Sequence, residues 1–145
     1  MAGAFLSVDL VGQQSIADTL QQLANRTNNL TPALSEVGEY LKEIHAQRFK
    51  DQVAPDGTPW QAVRAETLKN KKRPDRILRE EGTLADLLTY QIGDQQLSFG
   101  TNMVYGATHQ FGREDANIVA REWLGLNSEQ EQSVLDILVG YIQTA

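Results

Sequence analysis

The sequence has no cysteine among its 145 residues, which excludes disulfides and zinc sites built on thiolates. It has no apolar run near the ~18 residues that a membrane-spanning helix requires. Its start, Met1 to Gly12, lacks the basic residues and long apolar stretch of a signal peptide. These absences predict a protein that is made in the cytosol and does not contact a membrane. With 41% hydrophobic and 22% charged residues, the composition is typical of one globular domain over residues 1–145.

Positive charge is scarce, because 13 Lys and Arg stand against 19 Asp and Glu, for a net charge of −6. Phosphate neutralisation needs a basic surface, so specific nucleic-acid binding is not expected. Residues 114–145 carry Arg121 as their only basic residue. Seven of the thirteen basic residues fall within residues 64–79, namely Arg64, Lys69, Lys71, Lys72, Arg73, Arg76 and Arg79. This asymmetry predicts either a solvated face or complementary docking between neighbouring copies.

Large apolar side chains are rare in residues 64–81, and Pro74 interrupts any helix there. Little apolar surface is available to offset the entropy of fixing such a chain. We therefore predict a charged mobile loop or arm in this segment, which trypsin should cut first.

Two helices and a short strand are predicted before Trp60. Alternation over Ala4–Val11 indicates the strand, and Ser15 is the expected N-cap of the first helix. Thr31 and Pro32 predict the start of a second helix, with Thr31 as its N-cap and Pro32 at its first position. This helix is expected to end near Gln52. Its apolar face is predicted at Leu34, Val37, Leu41, Ile44 and Phe49.

Three residues among the first 60 are expected to lie at packing contacts. His45 lies one turn from apolar residues on both sides, which is typical of a packed, hydrogen-bonded histidine at the core border. Gly38 inside a helix indicates the close approach of another backbone, such as that of a neighbouring subunit. The PDGTPW segment predicts a rigid turn that delivers Trp60 into the core or an interface.

Residues 84–99 alternate around Gly93-Asp94 and predict a two-stranded hairpin. A short helix or irregular crossing is expected over residues 103–111, and a further strand over residues 118–123. Ser128 and Glu131 predict a capping box for a last helix over about 129–143, with its apolar face at Val134, Leu135, Leu138, Tyr141 and Ile142. The resulting class is α+β, a small antiparallel sheet packed against N-terminal helices and a C-terminal helix.

The stretch from residue 101 to residue 127 is rich in aromatics and glycine, yet no spacing in it matches a nucleotide loop or a nucleophile elbow. No catalytic residue, cofactor or metal ligand is predicted. Two alternatives stay open. One is a small intracellular hydrolase that uses His109 with Glu114 or Asp115, and the other is a DNA-end-binding adaptor that uses residues 64–79.

The same stretch carries a resemblance. The segments VYGATHQFG at 104–112 and IVAREWLGL at 118–126, with PDGTPW at 55–60 and ILREEGTLADLL at 77–88, resemble the phage virion morphogenesis family. These are the tail-completion proteins of Mu-like contractile-tailed phages and prophages. The resemblance implies a structural protein that completes or caps the tail at the neck, where head and tail join, without catalysis.

The resemblance also implies partners and a place. The partners are further copies of the chain in a closed ring, a hexamer if it matches the sixfold tail, together with tail tube or terminator proteins and head–neck proteins. The place is the virion, after assembly in the bacterial host cytoplasm. His109 is expected to hold a loop by hydrogen bonds, and Arg121 to form an ion pair with a nearby acid. The candidate interface or assembly residues are Trp60, the seven basic residues of 64–79, Tyr105, His109, Phe111, Arg121 and Trp123.

Overall fold

The computed structural model describes residues 4–9, 14–60, 88–93, 95–101, 110–112 and 120–144. In chain order these hold β1 (Ala4–Val8), α1 (Gln14–Ala24), α2 (Thr31–Asp51), β2 (Thr89–Gly93), β3 (Gln96–Thr101) and α3 (Ser128–Thr144). The helices and the small antiparallel sheet confirm the predicted α+β class. The charged segment 64–81 lies outside the described residues, and so does most of the region 103–111.

The sheet has the order β1-β3-β2, and both pairings are antiparallel. Leu6 and Tyr90 face Phe99 from either side, so the three strands share one inward face. The predicted hairpin is confirmed as β2 and β3, and Gln95 in its turn has a positive φ of 59°. The first strand ends at Val8, short of the predicted Val11. The chain bends at Asp9, whose carboxylate accepts a hydrogen bond from Ser7 Oγ.

Helix α1 packs its buried side chains against α3. Its start differs from the prediction, because Gln14 is already helical and Ser15 lies inside the first turn. Gln14 donates a side-chain hydrogen bond to Asp18 one turn later, which supports a start before Ser15. The carbonyl of Ser15 accepts a hydrogen bond from the Thr19 hydroxyl, so both residues belong to the helix body. The buried residues are Ile16, Ala17, Leu20 and Leu23.

Helix α2 begins at Thr31, one residue earlier than predicted, with Leu30 at the N-cap position. Thr31 is therefore not the cap. The side chain of Asn29 takes over part of that task by accepting a hydrogen bond from the Thr31 N–H. The helix ends as expected, with Gln52 in the left-handed conformation and its N–H bonded to the Arg48 carbonyl. Its buried face holds Ala33, Leu34, Val37, Gly38, Leu41, His45, Arg48 and Phe49.

Gly38 lies under the aromatic ring of Tyr90, which corrects the expectation that another backbone approaches it. A Cβ atom at Gly38 would stand 2.7 Å from two ring atoms of Tyr90. The Tyr90 hydroxyl then donates to the Glu39 carboxylate at 2.7 Å, which holds the ring across the helix. The glycine thus lets β2 pack closely on α2 within one chain.

We expect Gly38→Ala to destabilise the protein by about 1 to 3 kcal/mol, because the new methyl group would overlap the Tyr90 ring. The sign should reverse when the ring is absent. In a Tyr90→Ala background, the same change should stabilise the protein by up to about 1 kcal/mol through the better helix propensity of alanine. Urea unfolding of the four proteins of this cycle measures both values. Equal effects of Gly38→Ala in the two backgrounds would contradict the overlap.

The predicted turn before Trp60 is confirmed. The Ala54 N–H donates to the Thr58 carbonyl at 2.8 Å, and Gly57 between them has φ +90°. The Asp56 carboxylate accepts the Thr58 N–H, so the turn is closed from both sides. Trp60 follows directly and is buried in the core.

Helix α3 begins with a capping box one residue before the predicted one. Asn127 Oδ1 accepts the Gln130 N–H at 2.9 Å, and Gln130 Oε1 accepts the Asn127 N–H at 3.1 Å. Asn127 and Gln130 therefore form the capping box in place of the expected Ser128 and Glu131. The helix buries Val134 and Leu138, with the rest of the predicted face partly buried.

Candidate assembly site

Residues 120–127 lead into α3 without regular secondary structure, and we call them the junction segment. This finding corrects the prediction of a strand over residues 118–123, in its described part. A partly buried irregular segment must satisfy its backbone N–H and C=O groups outside a helix or sheet. Here the side chains of Arg48 and His45 on α2, of Trp60 and of Gln110 supply those bonds.

Arg48 supplies two of these backbone bonds. Its Nη1 donates to the Trp123 carbonyl at 2.6 Å and to the Gly125 carbonyl at 3.0 Å. Its Nη2 donates to Gln130 Oε1 at 2.8 Å, which ties the capping box to the same guanidinium. Arg48 is only 3% exposed, and its burial lowers its pKa to about 10, so it stays charged near neutral pH. One planar, rigid side chain thus orders three acceptors.

His45 lies one turn before Arg48 on the same face of α2. The Leu41 carbonyl can only accept, so His45 Nδ1 carries the proton and donates to it at 2.7 Å. His45 Nε2 is then free of a proton and accepts the Gly125 N–H at 3.2 Å. Burial, and secondarily the positive charge of Arg48, lower the pKa of His45 to about 3. The imidazole is therefore a neutral structural bridge at physiological pH.

Two further side chains complete the backbone bonds of the junction segment. Gln110 Oε1 accepts the N–H groups of Trp123 and Leu124 at 2.9 and 3.0 Å. The indole N–H of Trp60 donates to the Glu122 carbonyl at 2.7 Å. The backbone from residue 122 to residue 125 is thereby held from several directions.

Aromatic rings pack beneath these bonds. Phe49 lies 5.6 Å, between ring centroids, from Trp60 and also from Trp123. His45 lies 4.6 Å from Phe99 of the sheet and 6.2 Å from Trp123. Trp123 is fully buried. The cluster joins α2, β3, the turn before Trp60 and the junction segment into one rigid unit.

The sequence-predicted candidates are placed differently from one another. Trp60 and Trp123 come together around Phe49 as core residues of the subunit, whereas the side chain of Phe111 is 72% exposed. Arg121 is half-buried, and burial lowers its pKa. The remaining candidates lie outside the described residues: Arg64, Lys69, Lys71, Lys72, Arg73, Arg76, Arg79, Tyr105 and His109.

Arg48, Gln110 and Gln130 are the residues that sequence reasoning missed. A signal for Arg48 did exist, because it falls in the series Leu34, Val37, Leu41, His45, Arg48 at spacings of three and four. A cation on an apolar helix face indicates a buried charge with polar partners. No such pattern distinguishes Gln110, whose role depends on contacts 13 and 14 residues away.

The described part of the chain shows no arrangement for metal chemistry: none of its His, Asp and Glu residues gather in threes that could hold an ion. None of its helices is long and apolar enough to cross a membrane. The side chains of His45 and Arg48 form hydrogen bonds with backbone groups and with the Gln130 side chain, so they hold the junction segment in place. The predicted hydrolase residues His109, Glu114 and Asp115, and the basic residues of the DNA-binding alternative, are outside the described ranges.

Comparison with known protein families identifies the family of this chain. The model of the phage virion morphogenesis family matches residues 11–143. The chain belongs to this family. The match includes α2, the junction segment and almost all of α3, so the buried cluster around Arg48 and Trp123 lies inside the shared region.

Two relatives agree with the family. The chain is 25% identical to "Mu-like prophage FluMu G protein 2" of Haemophilus influenzae, over 95% of this chain and 96% of that protein. It is 30% identical to "Putative capsid assembly protein G" of Escherichia phage Mu, over 63% of this chain and 66% of that protein. No solved structure matches the chain significantly. The resemblance inferred from the sequence is thereby confirmed, and so is a role in phage virion assembly.

The neutral state of His45 predicts a loss of stability in acid. The unfolded state takes up a proton near pH 6.5, whereas the folded state does so only near pH 3. The contribution is therefore complete above about pH 6.5 and falls by up to about 1.4 kcal/mol for each pH unit below it. In His45→Asn, which can still donate to the Leu41 carbonyl, this part of the pH dependence should vanish.

Denaturant unfolding at intervals from pH 7 to pH 4 measures the effect. The variant should be less stable at pH 7, and its deficit should shrink steadily as the pH falls. All other titrating groups are common to both proteins, so the difference isolates residue 45. A deficit that stays constant from pH 7 to pH 4 would show that His45 is not buried in its neutral form.

Proposed function

We propose that the protein is a structural component that completes or caps the phage tail at the neck, joining head to tail without catalysis. The observation that carries this proposal is the buried Arg48 cluster in a chain of the virion morphogenesis family. His45, the histidine that the structure describes, is used together with Arg48 to hold the junction segment rigid. A fixed shape is what an assembly component requires, since its contacts must repeat from one particle to the next.

The relatives' names support this position. The phage Mu protein is named for capsid assembly, and the Haemophilus protein for a Mu-like prophage. The neck is where capsid and tail meet, so a neck protein is compatible with a capsid-assembly name. A role inside head assembly itself is the competing outcome, and the experiment below separates the two.

Within that role we propose a closed ring of identical subunits, a hexamer if it matches the sixfold tail. Its other partners are the tail tube or terminator proteins and the head–neck proteins. The sequence supports head-to-tail contact between copies, because basic charge is concentrated in residues 64–79 and acidic charge in residues 114–145. The site of action is the finished virion.

Deletion of the gene from an inducible prophage tests the position in the particle. After induction we expect full heads and separate tails by electron microscopy, with no infectious particles. The parental gene supplied in trans should restore joined particles. Normal tails with no heads would instead assign the protein to capsid assembly, and normal joined particles would overturn the proposal.

A second comparison tests the absence of catalysis. The purified protein is assayed against a broad panel of esters and phosphoesters, beside a His109→Ala variant. We expect no turnover by either protein. Turnover by the parent that His109→Ala abolishes would assign a hydrolase. DNA affinity measured at several salt concentrations provides the matching test for the basic residues, and a steep fall with salt would favour DNA binding.

A further inference from the structure

Both outer strands of the sheet have a free edge within the residues that the structure describes. The order β1-β3-β2 places β1 and β2 each beside β3 alone. Each of these strands is five residues long, so the two edges match in length. On the far side of each strand, backbone N–H and C=O groups point away from the sheet. Such groups form a template for another strand.

In the part of the chain that the structure describes, neither edge carries the usual protection against pairing. Edge strands of monomeric proteins are commonly blocked by lysine, proline, inward charges or a bulge. The sequences of β1, AFLSV, and β2, TYQIG, contain no charged residue and no proline. Their registers with β3 are also regular along the full length. In a chain with 22% charged residues, two edge strands without charge, each unpaired on its outer side among the described residues, indicate surfaces that are covered in use.

The outer face of the sheet has the same character. Alternation places Phe5 and Ser7 of β1, Ser98 of β3, and Thr89 and Gln91 of β2 on the face opposite the one that packs against α2. None of these side chains is charged. Phe5 is 36% exposed beside the free edge of β1. Depletion of charge together with a partly exposed aromatic is typical of the centre of a protein interface.

We propose that the edge of β1 in one copy pairs with the edge of β2 in the next copy, so that the sheet continues across subunits. A second copy is the occupant that fits both edges, because each chain offers one edge of each kind. A single strand from another protein would cover one edge and leave the other open. The net charge of −6 opposes association between copies, yet the two edges bring no charge into contact. This inference deepens the proposed assembly function by naming the contact between copies.

The contact is head-to-tail, since different strands of the two copies meet. Contacts of this type close into a ring when the rotation between copies allows it, and otherwise extend as a filament. In either case Phe5 of one copy would lie against the outer side chains of β2 in its neighbour. Phe5→Ala should therefore weaken self-association by about tenfold or more. Val139→Ala on α3 is the matched control, because Val139 is similarly exposed, at 41%, on a different element.

Cysteine cross-linking tests the pairing directly, because the chain has no cysteine of its own. Ser7→Cys is combined in turn with a cysteine at Thr89, Gln91 or Gly93, three positions that step along one face of β2 and so cover the unknown register. Cβ atoms on paired strands come within about 4.5 to 5.5 Å, close to the separation that a disulfide requires. Mild oxidation is followed by non-reducing electrophoresis, on concentrated protein and on phage particles that carry the variants.

We expect at least one double variant to form a ladder beyond the dimer, while the corresponding single variants stay monomeric. Efficient dimers from Ser7→Cys alone would show β1 paired with β1 and overturn the proposal. Absence of cross-links in every double variant, in solution and in particles, would also overturn it. The deletion experiment is independent: unjoined heads and tails without a ladder would keep the assembly function and remove only this contact. A ladder together with normal particles from the deletion strain would keep the contact between copies and remove the assembly function.

Discussion

Replacing Arg48 with alanine is expected to lower the free energy of unfolding by about 3 to 5 kcal/mol. The guanidinium satisfies the carbonyls of Trp123 and Gly125 and the side-chain oxygen of Gln130. Each buried acceptor that loses its donor costs about 1 to 3 kcal/mol. The cavity left by the side chain gives water partial access to these groups, which keeps the total below the sum.

Denaturant unfolding measures the change, and Lys50→Ala provides the matched control. Lys50 is two residues further along α2 and exposed, so its removal should change stability by less than about 0.5 kcal/mol. Arg48→Lys should fall between the two, because one ammonium group cannot reach three acceptors in the planar geometry of arginine. An Arg48→Ala variant as stable as Lys50→Ala would mean that Arg48 does not hold the junction segment.

Much of the fold could be predicted because its signals are local. The alternation in residues 88–99 predicted the hairpin, and helical spacing predicted α2 and α3 within one or two residues at each end. The errors fell at the helix starts, where Ser15, Thr31 and Ser128 are all residues that favour the cap position. Several polar residues stand near each start, and tertiary contacts select the one that caps the helix. At α3, for example, Gln130 is also bonded to Arg48, which favours Asn127 as its capping partner.

The site could not be predicted to the same depth, because its contacts are distant in sequence. Arg48 bonds to groups 75, 77 and 82 residues away, and His45 to one that is 80 residues away. Periodicity places both residues on the buried face of α2 but does not say what they meet. The junction segment has no helical periodicity. Its run of apolar residues therefore resembles a short buried strand in the sequence, although the segment is irregular in the structure. Only the folded chain shows that side chains replace the missing ladder of backbone bonds.

The cluster also explains why Trp60 and Trp123 are buried inside the subunit whereas Phe111 is exposed. Trp60 and Trp123 fix the junction segment from inside, and Gln110 bonds to the same segment. Phe111 is adjacent to Gln110 and points its side chain to solvent. The rigid core therefore sets the position of an exposed aromatic, which is the form that an interface contact requires.

Trp123→Ala is expected to destabilise the protein by about 3 to 5 kcal/mol, the range for truncating a large buried aromatic. Trp123 is fully buried and packs on Phe49 and His45, so the cavity is enclosed by side chains that cannot all move inward. The backbone bonds of residue 123 survive the change, which separates this loss from that of Arg48→Ala. Phe111→Ala, the exposed counterpart, should stay within about 0.5 kcal/mol of the parent. Thermal and denaturant unfolding of the two variants gives the comparison, with Trp123→Phe expected between them. Comparable losses from Trp123→Ala and Phe111→Ala would show that Trp123 is not the centre of the core.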